Sequence, residues 1–126
     1  MKDQSPSGLD LETLGGILRS CRTYRWGHEA RARRRDMDRL YARFLTAGDL
    51  AFDIGSHVGD RVASFRRLGA RVVAVEPQAV LARVLRLLHA LDPMVVVEPT
   101  AVGRRAGLAE LHVNPRNPTV STLSTD

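Results

Sequence analysis

Leu50-Ala51-Phe52-Asp53-Ile54-Gly55-Ser56-His57-Val58-Gly59-Asp60 is the stretch on which the fold turns. Five mostly apolar residues, the length of a short strand, run without a linker into a turn that carries two glycines. Residues 60–68 then place Val62, Ala63, Phe65 and Leu68 at helical spacing, and Gly69 suits the C-terminal stop. Downstream the pattern repeats. Arg71-Val72-Val73-Ala74-Val75 reads as a second strand, ended by Glu76-Pro77. Residues 78–90 read as an amphipathic helix with Val80, Leu81, Val84, Leu87 and Leu88 inward. Met94-Val95-Val96-Val97-Glu98 reads as a third strand closed by Pro99, and a weaker strand is expected over 107–113. Alternation of strand and helix, with strands that are near-continuous Val/Leu/Ile runs, predicts an α/β fold: a parallel sheet with helices packed across it.

Upstream of residue 48 the periods are helical. Leu11, Leu14, Ile17 and Leu18 recur at helical spacing behind Asp10, a candidate cap, although Gly15-Gly16 weakens that helix. A second helix is predicted over 28–46. Its apolar stripe is Met37, Leu40, Tyr41, Phe44 and Leu45, and Gly48 marks its end. The chain therefore divides into a disordered start (1–8), a helical extension (9–47) and an α/β domain (48–126).

The chemistry is expected at the strand-to-helix turn. In open α/β sheets ligands bind beyond the carboxyl ends of the strands. Glycine lets the chain turn sharply there and lets a ligand approach the backbone. The helix N-terminus after Gly59 offers free N–H groups to a carboxylate, and Asp53 is placed to accept from an amino group. Gly55 and Gly59 are separated by three residues, which differs from the G-x-G-x-x-G dinucleotide fingerprint and argues against NAD or FAD. Glu76 ends the second strand 21 positions after Gly55, close to the spacing at which an acid meets ribose hydroxyls. Together the turn, the helix and the strand-tip acid favour nucleoside binding over an unliganded turn.

Phe52-Asp53-Ile54-Gly55-Ser56-His57-Val58-Gly59 followed by Val73-Ala74-Val75-Glu76-Pro77 resembles the cofactor region of FkbM-type methyltransferases. Ala101-Val102-Gly103 and Ser121-Thr122-Leu123 add to the likeness, which spans roughly residues 48–124. The resemblance implies a Rossmann-like class I methyltransferase fold and S-adenosylmethionine as cofactor. It implies methyl transfer to a hydroxyl of a sugar or other small-molecule acceptor. By the same resemblance Asp53, Gly55, Gly59 and Glu76 bind the cofactor, with Ser56, His57 and Pro77 lining the site; no catalytic base is named. The family loop has a small residue and asparagine where this chain has Ser56-His57, so His57 is expected to be a tolerant turn position or a cofactor contact. Family members continue with a Lys-Ile-Asp-type strand, whereas the given sequence stops at Asp126. The expectation is therefore a truncated, cofactor-half chain in which Leu50–Ile54 forms an open, apolar sheet edge. Such an edge invites association with itself or with a partner chain. Two alternatives stay open: a non-catalytic fragment that pairs with a partner chain, and an NAD(P)-dependent oxidoreductase domain.

Composition limits the remaining classes. The 126 residues suit one modest domain, and the 44% apolar and 26% charged fractions are ordinary for a globular protein. No apolar run approaches the ~20 residues of a membrane-spanning helix, and Met1 to Asp10 does not read as a secretion signal. A cytoplasmic location without membrane contact is the expectation. Cys21 stands alone, and His28, His57, His89 and His112 lack metal-ligand spacing, so no metal is expected. The net charge of +5 concentrates in the run Arg31-Ala32-Arg33-Arg34-Arg35. With no interleaved aromatics there, the run reads as a solvated helix face, not a specific nucleic-acid site. Tyr24 and Trp26 are expected to pack against the second helix.

Overall fold

The computed structural model describes residues 9–114, 116, 117 and 121–123. The expected disordered start at 1–8 lies outside them. In chain order the elements are α1 (Leu11–Cys21), a π-helical turn (Arg22–Trp26), α2 (His28–Tyr41), β1 (Leu50–Ile54), α3 (Asp60–Arg67), β2 (Arg71–Val75), α4 (Ala79–Leu88) and β3 (Val95–Glu98). The three strands form one parallel sheet in the order β1-β2-β3, with Phe52 opposite Val73 and Val73 opposite Val96. The fold is thus α/β with an open parallel sheet and flanking helices. That architecture is compatible with a Rossmann-like unit.

One side of the sheet carries the main core. Ala51, Val72 and Ala74 point to it and pack with Val62 and Phe65 of α3 and with Ala70; Val95, Val97, Tyr41 and Leu45 close the cluster. Full burial of Val62 and Phe65 contributes about 1.5–3 kcal/mol each. Tyr41 meets the Phe65 ring edge-on at 4.8 Å, and Asp38 of α2 takes a two-pronged ion pair from Arg67 of α3. The helical extension and the α/β unit therefore share a core. A second cluster joins Ile17 and Cys21 of α1 to Val58 and to Leu81 of α4, seating the glycine turn between the first and last helices. Asp10 caps α1 by accepting from the Thr13 N–H at 2.7 Å, and the helix runs through Gly15-Gly16.

Four expectations need correction. The second helix ends at Tyr41, not near 46. The chain instead turns, and Asp49 captures both the N–H and the hydroxyl of Thr46. Leu40 and Phe44, expected inward, are exposed. In α4 the buried face is Leu81, Ala82 and Leu85, and Leu87 points outward, 78% exposed. Ala79–Leu88 is apolar almost all round, so its pattern does not fix the buried face. Residues 107–113 form no strand; His112 makes a single bridge with Thr122, and Leu108 stands fully in solvent with nothing to pair against. No helix among the described residues is long and apolar enough to cross a membrane.

Candidate functional site

The β1–α3 turn hangs from the end of β2. The N–H groups of Gly55 and Ser56 both donate to the Val75 carbonyl, at 2.8 and 3.1 Å. The Ser56 hydroxyl donates back to the Asp53 carbonyl at 2.8 Å, and the Gly59 N–H donates to the Ser56 carbonyl. Three consecutive turns of direction are achieved with Gly55, His57 and Gly59 all in the left-handed region (φ 75°, 53° and 77°). Glycine relieves the strain at two of these positions; His57 bears it.

Glu76 fixes this loop from the next strand. It is almost fully buried, and its two carboxylate oxygens accept from the His57 N–H at 2.8 Å and the Gln78 N–H at 2.9 Å. Burial pushes its carboxyl above the usual range, and the nearby Asp53 charge adds to the shift. The two N–H donors oppose it. Glu76 thus ties the β1 turn to the β2 turn and presents its carboxylate at the carboxyl end of the sheet.

A cleft of about 300 Å³ opens there, lined by Gly55, His57, Glu76, Pro77 and Gln78 with Tyr24, Asp60, Arg61 and Ser121. Four of the residues expected from the sequence, Gly55, His57, Glu76 and Pro77, are brought together in its wall. Around Gly55 nothing lies within 4 Å of where a Cβ would stand, so the backbone is bare to the cleft. Asp53, Ser56 and Gly59 are not in that wall. Asp53 is buried behind Arg61, whose Nε donates to its Oδ1 at 2.6 Å and whose Nη2 donates to the Gly55 carbonyl at 2.8 Å. The second Asp53 oxygen, Oδ2, is enclosed without a partner among the described residues. Ser56 is an internal strut of the turn. Gly59 is a packing glycine: a Cβ on it would stand 2.7 Å from Leu85 Cδ2.

Arg61, Tyr24 and Arg25 are the residues that sequence reasoning missed. Arg61 follows the turn by two positions, and a basic residue in the first turn of the helix that follows a strand carboxylate was the signal that could have found it. Tyr24 sits edge-on to the His57 ring at 5.8 Å. Arg25 donates from Nη1 to the carbonyls of Val58 and Gly59, at 3.3 and 2.8 Å. Both come from the π-helical turn, a geometry common at functional sites that no residue pattern announces. Among the described residues no group of His, Cys, Asp and Glu is arranged to hold a metal ion. Ser121 reaches the cleft, its hydroxyl 3.2 Å from Gln78 Oε1.

Comparison with family models, with curated proteins and with solved structures finds no match to this chain.

Proposed function

We propose that the cleft at the carboxyl end of the sheet binds S-adenosylmethionine and that the chain serves a methyltransferase acting on a small-molecule or sugar hydroxyl. The observation that carries this reading is the buried Glu76 carboxylate just beyond β2, in the wall of the same cleft as the bare backbone of Gly55. The residues present suit a nucleoside. Each Glu76 oxygen accepts one backbone N–H and retains a lone pair for a ribose hydroxyl. A cleft of about 300 Å³ lies at the lower end of the range for small-molecule sites. The bound cofactor would supply an electrophilic methyl group on a sulfonium.

The chain's own part is to bind and orient. Glu76 would take the ribose hydroxyls, Gly55 would leave room for the ligand against the backbone, and Pro77 and His57 would wall the sides. Arg61 would do what the sequence assigned to the helix N-terminus, meeting a carboxylate with a guanidinium. It already holds Asp53 and the Gly55 carbonyl, so a ligand amino group would reach Asp53 only by displacing it.

Calorimetric titration with S-adenosylhomocysteine tests the reading, with NAD run beside it. Saturable binding of S-adenosylhomocysteine but not NAD is expected. Glu76→Gln, which keeps one acceptor for the loop, is expected to weaken it roughly tenfold. Absence of binding by the folded wild-type chain would overturn it.

A second reading has its own observation. Leu50, Phe52 and Ile54 on β1 are 50%, 60% and 52% exposed, and β1 pairs only with β2 among the described residues. That edge suits association with a second polypeptide.

A further inference from the structure

Beside the cofactor cleft, and sharing Tyr24 and Asp60 with it, lies a smaller cleft of about 110 Å³ with four arginines in its wall: Arg25, Arg33, Arg34 and Arg67. They arrive from three elements, the π-helical turn, α2 and α3. Arg67 is neutralised by Asp38. Arg25, Arg33 and Arg34 have no carboxylate within ion-pair distance among the described residues, and Asp60 is the one acid in the wall.

Arg33, Arg34 and Arg67 are exposed and Arg25 is partly buried, yet three of these guanidiniums are held by specific contacts. That of Arg33 lies over the Tyr24 ring, 4.9 Å from its centre, and Arg34 donates from Nη2 to the Arg25 carbonyl at 3.1 Å. Arg25 is committed at Nη1 to the loop carbonyls, while its Nε–H is buried and has no acceptor among the described residues. Like charges gathered around a partly enclosed space repel one another. Burial holds Arg25 below the ordinary guanidinium range; Cys21 and Asp60 oppose this, and the Arg34 and Arg67 charges add to it to a smaller extent.

We propose that this cleft is a binding site for the phosphoryl group of a small molecule. Planar guanidinium forks match phosphate oxygens in pairs. About 110 Å³ admits several water-sized groups, enough for one phosphoryl group but not for an extended polyanion. Tyr24 is the partition: His57 and the cofactor cleft lie at one part of its ring and the Arg33 guanidinium over its face. Identifying the phosphorylated molecule as the methyl acceptor rests on the function proposed above; the anion site itself does not.

Titration of the full chain with inorganic phosphate, followed by NMR of ¹⁵N-labelled arginine Nε–Hε groups, tests the site. Saturable one-to-one binding is expected, with the resonances of Arg25, Arg33 and Arg34 moving together. The double variant Arg33→Ala/Arg34→Ala is expected to bind roughly tenfold more weakly or worse. Arg31→Ala/Arg35→Ala removes the same charge from exposed positions of the same helix and is expected to change affinity less than about twofold. Circular dichroism establishes that both variants fold. Equal weakening in the two variants would show diffuse charge and overturn the site, as would a titration that never saturates. Saturable phosphate binding without S-adenosylhomocysteine binding would leave this site standing and remove the methyltransferase reading.

Discussion

At Gly59 an added methyl would meet Leu85 Cδ2 at 2.7 Å on a backbone already at φ 77°, whereas at Gly55, φ 75°, it would meet nothing. The two glycines are therefore expected to separate on substitution. Gly59→Ala combines left-handed strain of about 1–2 kcal/mol with overpacking of about 1–3 kcal/mol. Gly55→Ala carries the strain alone and places its methyl in the cleft. Urea denaturation is expected to show Gly59→Ala as the more destabilised by at least about 1 kcal/mol; equal losses would contradict the packing role of Gly59. At this scale the sequence was informative about place and less so about task. Gly55, Glu76 and Pro77 were legible because a turn and a strand tip demand particular residues. Asp53 and Gly59 belong to the same motif, yet one is sealed by Arg61 and the other by Leu85. Those neighbours become adjacent only through folding.

Among the elements, the π-helical turn has the widest reach for its five residues. It sets Tyr24 between the two clefts and Arg25 against the carbonyls of the glycine turn, with His89 of the α4 C-terminus close behind. Burial first, then the Arg25 charge, holds His89 below the ordinary imidazole value; Asp92 opposes and Arg66 adds to this effect. Burial does the same to His57. An imidazole depressed in the folded state takes up its proton more readily when unfolded. The stability it contributes is full above the unfolded value of about 6.5 and is lost as pH falls below it. Thermal melts are expected to show the midpoint falling from pH 7.5 to 5.5. His89→Leu should reduce that fall by a fraction of the ~1.4 kcal/mol per pH unit carried by one whole proton, since the ring is only partly buried. An unchanged pH profile in the variant would contradict the account. Strands β1 and β2 and helix α3 were readable because period and punctuation agree in them. The π-helical turn was not, because Arg22-Thr23-Tyr24-Arg25-Trp26 has no period of its own and is held by what it touches.

On the scale of the whole molecule, the sheet is covered on one side by a well-packed core and left open at β1. Leu50, Phe52 and Ile54 lie on one side of that strand, with Val96 of β3 on the same side of the sheet and also half exposed. An unpaired edge beside exposed apolar side chains promotes association. Sedimentation velocity is expected to show concentration-dependent self-association that Phe52→Lys suppresses, a lysine on an edge strand being a common guard against pairing. A wild-type chain that stays monomeric at every concentration would remove the edge as an interaction surface. The parallel sheet was legible from the alternation of elements, and the open β1 edge was an expectation of the family resemblance. The second, arginine-lined cleft was not, because Arg33 and Arg34 are exposed, as expected, and only folding brings Arg25 and Arg67 beside them.

A crystal structure of the chain grown with S-adenosylhomocysteine tests the central claim most directly. The account predicts the ribose hydroxyls within about 3 Å of the Glu76 carboxylate and the ligand backbone lying against Gly55. A ligand bound elsewhere, or a cleft holding only solvent at saturating ligand, would contradict it.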